Sequence, residues 1–225
     1  DDAALRHRSD RLGRSLDQGD QSRGGLLILF EGDFELASHL LGDLGEPHGL
    51  VSVSIAEGLT GLTHLVLDLD PPGGADFAAV VAVAHLVRQA LTDSGLTGAV
   101  KTSGSRGIHI FVPIDDSAPV DDVAAAPRAL AARAEALDPA VATTAFLGAD
   151  RAGKVFIDAT RAGGATVAAA YSPRLRPGTP VSFPVAWSDL DRVRPADFTV
   201  HTAVDALAGG DPWADAMPAP QRLPG

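Results

Sequence analysis

Apolar positions recur with a period of two in some stretches of this chain and near 3.6 in others, and the switching between the two sets the expected order of elements. Leu26-Leu27-Ile28-Leu29-Phe30 is a short unbroken apolar run of the kind a buried strand carries. Phe34–Leu44 has a helical pattern, Gly45-Glu46-Pro47-His48-Gly49 has loop chemistry, and Leu50–Ile55 alternates Val51, Val53 and Ile55 against Ser52 and Ser54. Thr63–Asp70 predicts a strong strand, ended by Pro71-Pro72-Gly73-Gly74. Apolar residues at 77, 80, 81, 84, 87 and 91 predict a helix over Phe77–Leu91 with Asp76 as its N-cap. Val100–Ile114 reads strand, Gly-rich turn, strand. Val120–Leu137 is Ala-rich and helical, with Pro127 breaking or starting it. Strands are expected at Lys154–Ala159 and Thr166–Tyr171, then a Pro-punctuated stretch to Trp187, a short helix around Asp189 and a loose tail. Interleaved helices and strands place the chain in the α/β (α+β) class with one mixed sheet.

Composition narrows the chemistry. The chain has 225 residues, 45 % of them hydrophobic, enough for one large domain or two small ones with a real core. It has no Cys, so disulfide frameworks, thiolate metal sites and cysteine nucleophiles are excluded. No apolar run approaches the roughly 20 residues of a membrane span, and the first residues lack an apolar signal core. A cytoplasmic, nucleoid-associated protein is the expectation. The net charge of −11 argues against nonspecific nucleic-acid binding across the whole surface. Yet Arg151 to Arg194 holds seven bases against three acids, a local net of +4. An acidic body with one basic segment steers a phosphate ligand, although an unevenly charged solvated surface gives the same count. Sixteen of the 18 bases are Arg, which suits bidentate phosphate contacts.

Three segments carry candidate chemistry. In Leu65-Val66-Leu67-Asp68-Leu69-Asp70-Pro71, alternate residues of a strand share a face, so Asp68 and Asp70 point together, roughly 6–7 Å apart. Such a pair suits a divalent cation with oxygen ligands, Mg²⁺ or Mn²⁺; a turn-capping Asp beside a solvated one is the competing explanation. In Lys101–Pro113, small residues and the glycines Gly104 and Gly107 let backbone N–H groups approach an anion. Ser103 and Ser105 add hydroxyls and Arg106 a charged fork, while Ile108, Ile110 and Val112 turn to one face and His109 to the other. A plain polar hairpin with a half-buried histidine fits the same letters. In Arg151–Arg161, Val155 and Ile157 share one face, Phe156 and Asp158 the other, so Asp158 is a candidate third carboxylate for a two-metal site. Tyr171–Gly178 adds Arg174 and Arg176 on a proline-stiffened loop, which is otherwise a solvated surface loop.

The combination resembles the polymerase domain of bacterial ligase D, a branch of the archaeo-eukaryotic primase superfamily. The carrying residues are LVLDLDPP (65–72), KTSGSRGIHIFVPI (101–114), RAGKVFIDATR (151–161) and YSPRLRPG (171–178), with similarity around Asp211-Pro212-Trp213 and Gln221-Arg222-Leu223. The likeness runs from about residue 62 to 223. It implies a primase-polymerase fold, a mixed sheet with an RRM-like catalytic core flanked by helices. It implies two Mn²⁺ or Mg²⁺ ions on Asp68, Asp70 and Asp158, and a triphosphate met by Ser103, Gly104, Ser105, Arg106, His109 and Arg174. Arg151 would lie on a loop that helps place the primer end, and Lys154, Arg161 and Arg176 would meet DNA. On this resemblance the whole chain is one domain: an Arg-rich arm (1–24), a reduced N-terminal module (25–61), a catalytic core (62–200) and a C-terminal tail (201–225).

Three departures stand out. Position 106 is Arg where the family commonly has Lys, and the stretch between Asp158 and Tyr171 is one residue shorter than usual. The N-terminal third lacks confident counterparts of the family's lysines for a 5′-phosphate and its stacking aromatic. His48 is the candidate for the family's upstream histidine, with His39 in reserve. A stand-alone gap-filling relative fits this reduction.

The implied reaction is attack of a primer 3′-hydroxyl on the α-phosphate of a nucleoside triphosphate, with template-primer DNA at a gap or end. A DNA ligase and an end-binding protein are the implied partners. Two rivals are carried: a haloacid-dehalogenase-type phosphatase, against which Pro71-Pro72-Gly73 follows the second Asp, and a catalytically silent DNA-end-binding module, for which three retained acids bring no advantage.

Overall fold

The computed structural model describes residues 63–160, 167–208 and 210–224; the elements expected within residues 1–62 lie outside them. Strand β1 (His64–Asp70) leads to helix α1 (Phe77–Asp93), then to the hairpin strands β2 (Ala99–Thr102) and β3 (Ile108–Pro113). Helix α2 (Val120–Leu137), short β4 (Ala142–Thr143), β5 (Val155–Asp158), β6 (Pro184–Val185), α3 (Thr202–Leu207) and α4 (Pro212–Ala216) follow. The strands form one sheet in the order β4-β5-β1-β3-β2-β6. Among these described strands only β4 and β5 run parallel, so the sheet is mixed as expected.

Period two sorts the sheet into two unlike faces. Leu65, Leu67 and Leu69 of β1, Ile108, Ile110 and Val112 of β3, and Val155 and Ile157 of β5 are all buried in one cluster with α1 and α2. Each such side chain contributes roughly 1.5–3 kcal/mol by leaving water. The intervening residues, Asp68 and Asp70, His109, Phe156 and Asp158, therefore line the opposite face.

Helix α1 starts where Asp76 caps it, its carboxylate accepting from the Ala78 N–H. It stops at a left-handed Gly95 (φ +70°), where Gly95 donates to the Thr92 carbonyl and Leu96 to the Leu91 carbonyl, both at 2.9 Å. The helix ends at Asp93, two residues beyond the predicted Leu91.

Four expectations are corrected. Pro127 neither breaks nor starts α2; it lies buried inside a continuous helix, on the core face with Val123, Leu130 and Ala134. Residues 167–171 form no strand. Residues 187–192 are turns, with a 3-10 turn only at Pro195–Asp197. The tail is docked: Gln221 bridges Ile114, and its amide accepts from the Thr97 N–H and donates to the Thr97 carbonyl, both at 2.8 Å. Tails of this composition look loose because a bridge at Gln221 and single apolar contacts such as Leu223 and Trp213 hold them and leave no periodic signal.

Candidate active site

The strand registers generate the site. Lys101 of β2 sits opposite His109 of β3, His109 opposite Asp68 of β1, and Asp68 opposite Asp158 of β5. One transverse row thus carries four ionisable side chains across four strands, all buried: Asp68 at 8 %, Asp158 at 5 %, His109 at 4 % and Lys101 at 0 % exposure. Asp70 stands two residues on, opposite Phe156. Directly opposed residues have Cβ atoms about 4.5–5.5 Å apart, so Asp68 and Asp158 are close like charges in a water-poor setting.

Each member of the row has a distinct environment. His109 Nε2 lies 3.4 Å from Asp68 Oδ1. Asp158 Oδ1 accepts from the Thr160 N–H (2.8 Å) and hydroxyl (2.6 Å), which anchors that carboxylate at the strand end. Lys101 Nζ lies 2.8 Å from His109 Nδ1, donates to the Ala168 carbonyl (2.6 Å) and to Ser182 Oγ (2.5 Å), and stands 5.6 Å from the Phe111 ring centre. Burial pushes the Lys101 ammonium down to about 7; Asp68 resists the fall and Arg174 adds to it.

The loop between β2 and β3 is built by Ser103. Its hydroxyl oxygen accepts from the Gly107 N–H (3.0 Å) and the Ser105 N–H (3.3 Å), while the Ser103 N–H donates to the Gly107 carbonyl (2.9 Å). Three backbone donors are thus spent inside the loop. A candidate anion cradle here would rest on side chains, the Ser103 and Ser105 hydroxyls and Arg106, more than on the backbone N–H groups that the sequence suggested. Both glycines are required by close approach. A Cβ on Gly107 would stand 2.4 Å from the Leu69 carbonyl oxygen. One on Gly104 (φ +68°) would meet Arg174 Cγ and the Ser182 N–H at 2.7 Å. Gly104 therefore admits the 171–183 segment, and with it Arg174, to the loop.

These groups enclose a cavity of about 310 Å³. Asp68, Asp70, Ser103, Ser105, Arg106, His109, Arg174 and Arg176 line it. Partial burial and Arg176 press the Arg174 pKa downward, against the pull of Asp68. A larger groove of about 640 Å³, between α2 and the C-terminal tail, is lined by Asp93, Asp122, Ser94, Ser117, Arg133 and Arg222 with an alanine-rich wall, and lies away from the strand-borne carboxylates.

Other predicted residues lie elsewhere. Arg151 turns to its own loop, donating to the Ala145 (3.2 Å) and Phe146 (3.0 Å) carbonyls and stacking 3.7 Å above Phe156. Lys154 precedes β5, outside the cavity lining. Arg161, His48 and His39 fall outside the described residues. Sequence reasoning missed Lys101 and Ser182. The available signal for Lys101 is its place in an alternating strand, which puts a cation on the His109 face.

Asp68, Asp70 and Asp158 fit a divalent cation by donor chemistry: three hard oxygen ligands on one sheet face, two of them buried and mutually repelling. Among the described residues no three metal-ligating side chains are gathered into a finished cage. Asp158 supplies one reason, since one of its oxygens serves Thr160.

A family profile for the LigD primase-polymerase domain matches residues 50–213. The chain belongs to this family. Among relatives of the LigD polymerase domain, the Pseudomonas aeruginosa multifunctional non-homologous end joining protein LigD is 35 % identical over 165 residues, covering 71 % of this chain and 20 % of that protein. The Bacillus subtilis bifunctional non-homologous end joining protein LigD is 30 % identical, covering 72 % of this chain and 27 % of that protein. The chain thus spans about a fifth to a quarter of the length of these LigD proteins. A solved polymerase domain from Mycobacterium tuberculosis ligase D, in complex with DNA, superposes with a TM-score of 0.61 at 34 % identity. That match covers 73 % of this chain and 61 % of the solved one. The phosphatase and silent-module alternatives find no support among these LigD matches.

Proposed function

We propose that the chain is a template-dependent nucleotidyltransferase of the primase-polymerase type that extends primers at gaps or breaks during non-homologous end joining. The observation that carries this reading is the single cavity shared by a strand-borne carboxylate pair, the Ser103–Gly107 loop and the Arg174 loop, in a LigD-family chain. Asp68, Asp70 and Asp158 would hold two Mn²⁺ or Mg²⁺ ions. Bound there, the ions supply positive charge that acidifies the primer hydroxyl and neutralises the departing pyrophosphate.

The chain's own residues do the rest. Ser103 and Ser105 offer hydroxyl protons to phosphate oxygens, and Arg106 and Arg174 offer guanidinium forks. His109 presents Nε2 beside Asp68 at the floor. Arg151, stacked on Phe156 opposite Asp70, would help place the primer end at the carboxylate side. Arg176 and Lys154 extend the basic surface for template-primer DNA.

The names of the LigD relatives point to end joining, so a DNA ligase activity and an end-binding protein are the partners we infer. No helix among the described residues is long and apolar enough to cross a membrane. The test is primer extension on a short 5′-phosphorylated gap with Mn²⁺, using ribonucleotides and deoxyribonucleotides in parallel. Template-directed addition, lost in an Asp68→Ala/Asp70→Ala variant, is the expected result. DNA binding without addition would sink the reading in favour of a scaffolding role.

A further inference from the structure

We propose that Tyr171 is a positioning residue: its hydroxyl, latched to Asp211, holds a strained turn that sets Arg174 at the cavity, so that the C-terminal segment governs how tightly a triphosphate is bound. The inference rests on the polymerase reading only in naming a triphosphate as the anion that Arg174 meets.

The starting observation is a backbone outlier. Tyr171 has φ +67°. A bulky side chain rarely adopts this left-handed region, and persists there only where its surroundings hold it. Both flanks of the turn are fixed. Upstream, the Ala168 carbonyl accepts from Lys101 Nζ at 2.6 Å, and Val167 packs with Val66 and Phe111. Downstream, the Arg174 N–H donates to the Pro180 carbonyl (2.8 Å) and the Ser182 N–H to the Ser172 carbonyl (2.9 Å). Tyr171 is the joint between these two stretches, and its conformation sets the course of the chain that carries Arg174.

Side-chain contacts oppose relaxation of the joint. The Tyr171 hydroxyl donates to the Asp211 carboxylate and accepts from the Trp213 N–H at 3.2 Å. Asp211 is held in turn, its Oδ1 accepting from the same N–H at 2.9 Å. The Tyr171 ring stands edge-on to Phe183 at 5.5 Å, and Phe183 stacks on Phe198 at 4.4 Å. Trp213 packs edge-on against Phe111 of β3, with ring centres 5.2 Å apart. The latch is therefore anchored on the sheet.

Arg174 is the group that needs it. Asp68 attracts the half-buried guanidinium and Arg176 repels it, but no hydrogen bond or ion pair with a described residue anchors it. Its place is set by its backbone, by its stem and by the turn three residues upstream. The stem lies against Gly104, where an added Cβ would stand 2.7 Å from Arg174 Cγ. Loss of the Tyr171 hydroxyl frees the turn to relax toward negative φ and carries Arg174 away from the anion.

The test is a double-mutant cycle of Tyr171→Phe, which keeps the ring, with Arg174→Ala. Calorimetric titration with the α,β-methylene analogue of ATP in Mg²⁺ reads the affinity. Tyr171→Phe should weaken binding about five- to tenfold, the scale of one hydrogen bond to a charged group. In the Arg174→Ala background the same change should cost less than about twofold, because its effect passes through the arginine. Asp211→Asn keeps an acceptor oxygen and should bind within about twofold of wild type. Asp211→Ala should repeat the loss, and replaces Tyr171→Phe in the cycle if that variant does not fold. In gap filling the same factor should appear in nucleotide KM, with a smaller change in kcat. Unchanged affinity, an equal loss in both backgrounds, or a wild-type chain that does not bind the analogue overturns the inference. A non-additive cycle in a chain that adds no nucleotide would uphold it while removing the polymerase reading. Primer extension with an additive cycle would do the reverse.

Discussion

At the scale of single residues, the site is a conflict of charges held in place by the sheet. Asp68 and Asp158 oppose each other in adjoining strands, both buried. Removing one charge should therefore relieve the metal-free fold while disabling the chemistry. Asp158→Asn keeps an oxygen that can still accept from Thr160. It should lower primer extension by roughly 10²–10³-fold, the several kcal/mol that a bound metal contributes to such a step. Its melting temperature in chelator should rise, the usual exchange of activity for stability at such sites. A melting temperature that falls would show that the carboxylate pair is not strained. Lys101 supplies a second residue-scale prediction. Its pKa in the fold is about 7, against 10.5 in an unfolded chain. Between those values the unfolded chain binds the extra proton, so stability from this group rises with pH through that window. The melting-temperature gap between wild type and Lys101→Met should shift in favour of wild type between pH 7 and pH 9.5. A gap that does not move would mean that the lysine is not desolvated.

At the scale of elements, two glycines hold the phosphate-facing loop against its neighbours. Gly107→Ala would set a Cβ 2.4 Å from the Leu69 carbonyl, so either β1 or the loop must give way. We expect a loss of about 1–3 kcal/mol in urea unfolding, typical of overpacking, together with a raised nucleotide KM. A KM unchanged in a destabilised protein would separate loop position from nucleotide binding. This is also the scale at which the sequence is most legible. Period two in β1, β3 and β5 places Asp68, Asp70, His109 and Asp158 on one face, although Val66, Phe111 and Phe156 share it. The 3.6-residue spacing and Asp76 mark α1 equally well. Two-residue strands such as β4 and β6 leave no period to detect. Pro127 defies its local preference because burial against α1 and the sheet outweighs one missing helical hydrogen bond. Ser103 belongs to the loop as its letters suggest, but for a further reason, since its oxygen first organises the backbone. Lys101 escapes a first reading because a lysine on a strand ordinarily lies in solvent; alternation gives its face, and the register sets it directly opposite His109.

At the scale of the whole molecule, an acidic body meets a polyanionic partner. With a net charge of −11, attraction to DNA must come from the local basic surface, so affinity should depend steeply on salt. Arg176→Ala and Lys154→Ala should each reduce the slope of log K against log salt by about one, if each meets a phosphate. Arg174→Ala should instead act on nucleotide KM, because its side chain lines the cavity half-buried, whereas Arg176, which also lines it, is exposed. Gel-shift titrations at several salt concentrations distinguish the two sets. An unchanged slope in the Lys154 and Arg176 variants would move the DNA path to another face.

The transverse row has a consequence for how such a chain can change over generations. Point substitutions alter one charge at a time, but a one-residue insertion or deletion inside β1 turns the whole strand over. Leucines would then face the cavity, and both aspartates would enter the layer beneath α1 and α2. The same error would cost the core and the chemistry together. Length variation in this lineage should therefore collect between the strands, as in the sequence from Asp158 to Tyr171, while the spacing within β1, β2, β3 and β5 stays fixed even where their letters drift.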